Sequence, residues 1–159
     1  MKNVIKILVG VDVSKDKFDG CILSIDTNLD QKVISSRVFE NNKSGFTQFM
    51  IWIEKYSVGI KVEVILEATG VYHERLCMSL LEGDYAVFLA TASRAKSYKK
   101  SAGLKSKTDK IDAKGLAMMG ISHKFKRMRP IAKFYYELRQ WTRHNQALQE
   151  QKTIVTNQQ

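Results

Sequence analysis

The 159-residue sequence has only two cysteines and one proline, and it lacks a long apolar segment. Cys21 and Cys77 are too few and too far apart to indicate a zinc site or a disulfide scaffold. The short apolar run at the N-terminus is followed at once by Asp12, Lys15 and Asp16, so we predict no signal peptide and no membrane anchor. These absences favour a cytoplasmic protein of one domain, or of one domain with an appendage.

Acidic residues are scarce in the C-terminal part of the chain, and the net charge of +10 comes from there. Residues 1–93 hold 10 Lys and Arg against 12 Asp and Glu, a net charge of −2, whereas residues 94–159 hold 16 against 4, a net charge of +12. This asymmetry is typical of a flank that binds a polyanion beside a near-neutral body. The alternative is a solvated basic surface without a ligand.

The order of the elements predicted from periodicity and turn residues indicates an α/β fold. The predicted strands are 4–13, 18–25, 31–39, 61–68 and 85–90. The predicted helices are 44–56 with Ser44 as the N-cap, 73–82, 93–100, 108–122 and one from about 132. Three antiparallel strands followed by βα units predict one mixed sheet with helices on both faces, which is the order of the RNase H-like fold.

We predict two parts of the chain. Residues 1–122 form the RNase H-like domain, and residues 123–159 form a basic connector and the beginning of a helical, coiled-coil segment. The last helix carries an apolar stripe made of Phe134, Tyr135, Leu138 and Trp141. We interpret this stripe as a dimer or interdomain surface, and we expect a homo-oligomer that associates through this helix.

Four acidic residues lie in three short motifs: Asp12 in GVDVSK, Glu67 in LEATG, and Asp109 with Asp112 in KTDKIDA. Asp12 and Glu67 each end an apolar strand, where a carboxylate is desolvated unless a cation or a hydrogen-bond donor compensates it. Asp109 and Asp112 have the i, i+3 spacing that places both on one face at the start of a helix. Together the four acids predict a site for two Mg²⁺ or Mn²⁺ ions.

Taken singly, each acid also has a purely structural interpretation. Asp12 could cap a turn, Glu67 could pair with a lysine or cap the next helix, and Asp109 is a favoured early-helix residue. The metal-site prediction rests on the coincidence of the three motifs with the strand order and the basic flank.

Nine basic residues near the acids are predicted to bind nucleic-acid phosphates. They are Lys96, Lys99, Lys100, Lys105, Lys107, Lys124, Lys126, Arg127 and Arg129. Tyr98 could stack on a base, but partial packing is the favoured alternative. We interpret His73 as a cap or surface residue rather than a metal ligand.

These motifs resemble those of the insertion-sequence transposases with an N-terminal DEDD domain, which are related to the Piv and MooV DNA invertases. The resemblance runs from about Ile7 to Trp141, and KTDKIDA is its most specific segment. It implies a RuvC-like member of the RNase H-like fold that cleaves and exchanges DNA strands, guided by a structured RNA. It also implies that the catalytic, metal-binding tetrad consists of Asp12, Glu67, Asp109 and Asp112.

Members of that family continue into a second domain with a serine thought to act as the nucleophile, and this sequence stops before it. We therefore expect the chain alone to bind metal and nucleic acid without recombining DNA. Two alternatives stay open, a RuvC-like nuclease that acts on branched DNA and a non-catalytic nucleic-acid-binding fragment. A sugar-kinase or actin-like ATPase lobe is disfavoured, because 159 residues leave no room for the second lobe.

Overall fold

A computed structural model describes residues 4–68, 70–103, 109–122, 125–129 and 132–157, without the side chains of Asp109, Lys110 and Lys133. The strands are β1 (Val4–Val13), β2 (Lys17–Asp26), β3 (Gln31–Glu40), β4 (Val62–Glu67) and β5 (Ala86–Ala90). The helices are α1 (Lys43–Ser57), α2 (Glu74–Glu82), α3 (Ala92–Ser101), α4 (Asp109–Ser122) and α5 (Lys133–Thr156). Every predicted element is present, and its ends differ from the prediction by no more than one residue.

The five strands form one mixed sheet in the order β3-β2-β1-β4-β5. Strand β1 lies in the centre, antiparallel to β2 and parallel to β4. Its residues Ile7, Leu8 and Val9 are completely buried, because both faces of the strand are covered. The predicted sheet and the central place of its first strand are therefore confirmed.

One face of the sheet, which we call the aromatic face, is covered by α1 and α2. Its cluster contains Phe18, Phe39, Phe46, Phe49 and Trp52. The Phe49 ring lies edge-on to Phe18 and Phe39, with centroids 5.1 and 5.2 Å away. Such edge-to-face contacts add to the stabilisation that the buried ring area already provides.

Helix α1 begins after Asn42 and not after Ser44, so the predicted N-cap was wrong. The Asn42 Oδ1 accepts a hydrogen bond of 2.9 Å from the backbone nitrogen of Gly45, and Asn42 itself has extended backbone angles. Asn and Ser are about equally good N-caps, so the choice between them depends on where the chain turns after β3. Ser44 lies inside the first turn, where its hydroxyl accepts a hydrogen bond from Gln48.

The opposite face, which we call the α4 face, is covered by α3 and α4 with small and aliphatic residues. Leu8 and Ile65 of the sheet belong to one cluster with Leu116 and Ala117 of α4. Helix α4 lies directly on β1, because a Cβ atom at Gly10 would overlap the carbonyl oxygen of Ala113 and the backbone nitrogen of Ala117. Helices on both faces of the sheet are thus confirmed.

The chain divides into two compact units after Met128, and α5 is the helix of the second unit. The four residues of its predicted apolar stripe are 49–71% exposed in this chain. Their role as a dimer or interdomain surface stays a prediction. Among the described residues, no helix has both the length and the hydropathy needed to cross a bilayer.

Candidate metal and nucleic-acid site

Asp12 and Glu67 lie next to each other at one edge of the sheet. Strands β1 and β4 are parallel with Val11 opposite Leu66, so each carboxylate comes one residue after this pair. Neighbouring strands are about 4.8 Å apart, which sets the separation of the two backbones here. The sequence prediction that these acids end two adjacent strands is confirmed.

Both carboxylates lie on the α4 face. Successive side chains of a strand alternate between its faces, and Asp12 comes two residues after Gly10, which contacts α4. In the same way Glu67 comes two residues after Ile65, which packs in the cluster beneath α4. The carboxylates at the ends of β1 and β4 therefore point to the same side of the sheet as α4.

Asp19 is a third carboxylate on this face that the prediction of site residues did not include. It is paired with Asp12 across the hairpin of β1 and β2, and it is only 8% exposed. Directly paired residues of antiparallel strands point to the same face of a sheet. The hairpin with its short turn at residues 14–16 was a signal in the sequence that could have identified this pair.

Helix α4 brings Asp112 to the site, because Ala113, the next residue, lies against Gly10. The Asp112 Oδ1 lies 3.0 Å from the Lys99 Nζ of helix α3, and the Glu67 Oε2 lies 3.8 Å from the same nitrogen. One ammonium group thus joins two of the predicted tetrad carboxylates. The lysine partner that the sequence left open for Glu67 exists, and it is shared with Asp112.

Asp109 is the first residue of α4, as its motif predicts. Its side chain lies outside the part of the chain that the structure describes, so its membership in the site stays a prediction. Two carboxylate oxygens, one of Glu67 and one of Asp112, converge on one positive charge, and oxygen atoms of this kind are the ligands that a hard divalent cation prefers. Within the described residues, no three Asp, Glu, His or Cys side chains are close enough together to form a complete metal-binding group.

Asn41 fixes the loops that follow the two acidic strands. Its Nδ2 donates hydrogen bonds to the carbonyl oxygens of Ser14 at 2.9 Å, Lys15 at 3.3 Å and Tyr72 at 3.2 Å. The first two belong to the turn after β1, and Tyr72 belongs to the segment after β4. Sequence reasoning missed this residue, because an Asn beside a helix start is ordinary turn chemistry and its distant partners cannot be seen in the sequence.

The predicted phosphate-binding residues divide into three groups. Lys96 and Lys100 are exposed on α3, and Lys126, Arg127 and Arg129 are exposed beyond α4. Lys99 is half-buried in its ion pairs with the acids. Lys105, Lys107 and Lys124 lie outside the described residues. The common role of these residues in binding nucleic acid stays a prediction.

Two other residues of the motifs have clear structural positions. Tyr98 is partly buried against the cluster beneath α4, as its structural alternative predicts. His73 is at the N-cap position of α2, but it is buried at 6% exposure and its side chain makes no capping hydrogen bond. The expectation that His73 is a cap residue is therefore confirmed by its position, and the alternative of a surface residue was wrong.

Comparison with known sequences identifies a family and two relatives. A family model described as a transposase, of the DEDD type and the IS110 group, matches residues 9–159. The pilin gene-inverting proteins of Moraxella lacunata and Moraxella bovis are each 32% identical to this chain over 116 residues. That match covers 72% of this chain and 34% of each relative, so the chain spans about a third of their length.

Two solved structures of RuvC from Thermus thermophilus have a similar backbone. The structure in complex with a Holliday junction substrate has a TM-score of 0.55 at 9% identity. The match covers 77% of this chain and 99% of the RuvC chain. The second has the same TM-score at 10% identity and the same coverage. At such low identity the likeness shows the fold alone, which is the RuvC-like form of the RNase H-like fold.

Proposed function

This chain belongs to the DEDD transposase family of the IS110 type, and we propose that it is the metal-dependent catalytic domain of a DNA transposase or site-specific recombinase. The observation that carries the proposal is the meeting of three elements at one edge of the sheet. Strands β1 and β4 end there in Asp12 and Glu67, and α4 adds Asp112. Such an edge beside parallel strands is where α/β folds place their chemistry.

The four carboxylates of Asp12, Glu67, Asp109 and Asp112 would hold two Mg²⁺ or Mn²⁺ ions, which prefer oxygen ligands. When bound, these ions would stabilise the charge that develops at a scissile phosphate. The protein itself supplies the fixed positions of the ligands: two on neighbouring strands and two on α4, which packs directly on Gly10. A rigid sheet and a helix locked to it hold such ligands more accurately than loops do.

The exposed basic residues of α3 and of the segment beyond α4 would bind DNA and a structured guide RNA through their phosphates. We propose that the apolar stripe of α5 joins two copies of the chain, since it is exposed here. Because the chain spans about a third of its curated relatives, we also propose that it binds nucleic acid but does not recombine DNA by itself.

The test is Mn²⁺ binding by the chain and two variants that each neutralise one carboxylate. We expect Asp12→Asn and Glu67→Gln each to weaken Mn²⁺ binding at least tenfold in calorimetry, because each variant loses one charged ligand of the ion. Glu63→Gln is the matched control: Glu63 lies on the same face of β4 and is similarly buried, but it pairs with Lys6 at 2.7 Å. Anomalous scattering from Mn²⁺-soaked crystals should locate the ion between Asp12 and the start of α4.

Three outcomes separate the alternatives. Mn²⁺ affinity that is equal in the wild type and in all three variants would leave a non-catalytic nucleic-acid-binding fragment. Metal-dependent hydrolysis of a four-way DNA junction by this chain alone would favour a structure-specific nuclease that acts like RuvC. Metal binding that is lost in Asp12→Asn and Glu67→Gln, without hydrolysis of the junction, supports the recombinase domain.

A further inference from the structure

Lys99 contacts two of the four predicted metal ligands. Its Nζ is 3.0 Å from the Asp112 Oδ1 and 3.8 Å from the Glu67 Oε2. Those two residues come from elements far apart in the sequence, β4 and α4, and α3 carries the lysine that joins them. The ammonium group is therefore the positive charge around which the two carboxylates converge in this structure.

The ion pairs are sheltered but open to solvent. The side chains of Lys99, Glu67 and Asp112 are 21%, 14% and 17% exposed. Helix α3 is held in place by the buried Ala95, one turn before Lys99, so the backbone of the lysine is fixed. Its side chain has a flexible four-carbon stem, and it can leave the carboxylates without moving the helix.

From this geometry we propose that Lys99 is a built-in counter-ion, which holds Glu67 and Asp112 together in the metal-free protein and moves away when a divalent cation binds. The inference rests on the proposed function, because it assumes that the carboxylates are metal ligands. Two like charges at close range destabilise a fold unless a cation lies between them, so a lysine there keeps the site assembled before the metal arrives. The same lysine must then compete with the metal for the same oxygen atoms.

Competition has a measurable consequence, which is opposite to that of losing a ligand. We expect Lys99→Met to bind Mn²⁺ about tenfold more tightly than the wild type in calorimetry, the size of one charge-assisted hydrogen bond. Without metal, the same variant should melt roughly 2–4 °C lower, because its carboxylates have lost their cation. Lys43→Met is the control, because it removes one positive charge from an exposed residue of α1 that lies outside the predicted site. It should bind Mn²⁺ like the wild type.

A labelling experiment on the wild-type protein tests the inference without any substitution. An amine-acetylating reagent should modify Lys99 slowly in the metal-free protein and several-fold faster after Mn²⁺ is added, as quantified by mass spectrometry. Lys100 provides the internal standard, since its exposure should not change. An acetylation rate of Lys99 that does not rise with Mn²⁺ would overturn the proposal.

The outcomes distinguish the inference from the function on which it rests. If the wild type binds Mn²⁺ and Lys99→Met binds it equally or more weakly, the counter-ion role is overturned and the metal site stays intact. No Mn²⁺ binding by either protein would overturn the metal site as well. Mn²⁺ binding that is tighter in Lys99→Met than in the wild type, with no change in the control variant, supports both the counter-ion role and the metal site.

Discussion

The two faces of the sheet are built differently, and the difference separates stability from chemistry. The aromatic face is filled by large rings, and Phe18, Phe49 and Ile53 there are completely buried. On the α4 face, helix α4 lies so close to β1 that only a glycine fits at position 10. The strands on this face end in carboxylates that are partly exposed. One face therefore supplies most of the buried ring area, and the other sets the positions of the acids.

The largest effect should come from the aromatic face and leave the site intact. Phe49→Ala removes a fully buried ring that contacts Phe18 and Phe39, so we expect the free energy of unfolding to fall by about 3–5 kcal/mol. Mn²⁺ affinity should change less than twofold, because no site residue lies on that face. Urea denaturation and calorimetry measure the two quantities. Phe134→Ala, at an exposed ring of α5, is the control and should cost less than about 0.5 kcal/mol.

A second substitution reverses that pattern by acting on the α4 face. Gly10→Ala places a methyl group against the backbone of α4, so we expect a loss of about 1–3 kcal/mol in unfolding free energy and weaker Mn²⁺ binding, because α4 is displaced. Gly20→Ala is the matched control on the aromatic face, where the new Cβ would lie 2.9 Å from the Phe49 ring. It should destabilise the protein without changing Mn²⁺ affinity. Equal effects on Mn²⁺ binding would show that the two faces are not independent.

Much of this comparison could be predicted from the sequence. The apolar runs and turn residues predicted every element. The sequence of β1 is apolar on both faces of the strand, which predicted its central place, because the local pattern of apolar residues shows which faces are buried. The motifs also predicted the adjacency of Asp12 and Glu67, because the carboxyl ends of parallel strands share one edge.

What the sequence did not predict depends on contacts between distant elements. Lys99 lies among other basic residues on α3, so the composition predicted that it binds phosphate. Its carboxylate partners become visible only when α3 packs beside α4. Ser44 and Asn42 are both good caps, and local propensity could not distinguish them. The register of the β1–β2 hairpin could have predicted the Asp12–Asp19 pair, but the metal-site prediction rested on motifs and not on strand pairing.

A smaller effect should follow from loosening the loops that come after the two acidic strands, β1 and β4. Asn41→Ala removes the donor to the carbonyl oxygens of Ser14, Lys15 and Tyr72, and we expect a loss of about 1–2 kcal/mol in unfolding free energy. Asn41→Asp should be worse, because a carboxylate oxygen would face the same carbonyl oxygens. Thermal melts of both variants check this order. A stable Asn41→Asp would mean that these loops do not need the amide donor.

The smallest effect is a dependence on alkaline pH that arises on the aromatic face. Burial of the thiol, with a smaller contribution from the charge of Glu74, raises the pKa of Cys77 from 9.0 to about 12. The unfolded thiol loses its proton at a lower pH than the folded one, so stability should fall as pH rises above about 9, by roughly 1 kcal/mol at pH 10. Cys77→Ala should lower stability at pH 7.5 but show a weaker fall between pH 7.5 and pH 10 in urea denaturation. An identical fall in both proteins would mean that the Cys77 thiol loses its proton at the same pH in the folded and the unfolded protein. The aromatic face would then shield the thiol from water less well than its buried rings indicate.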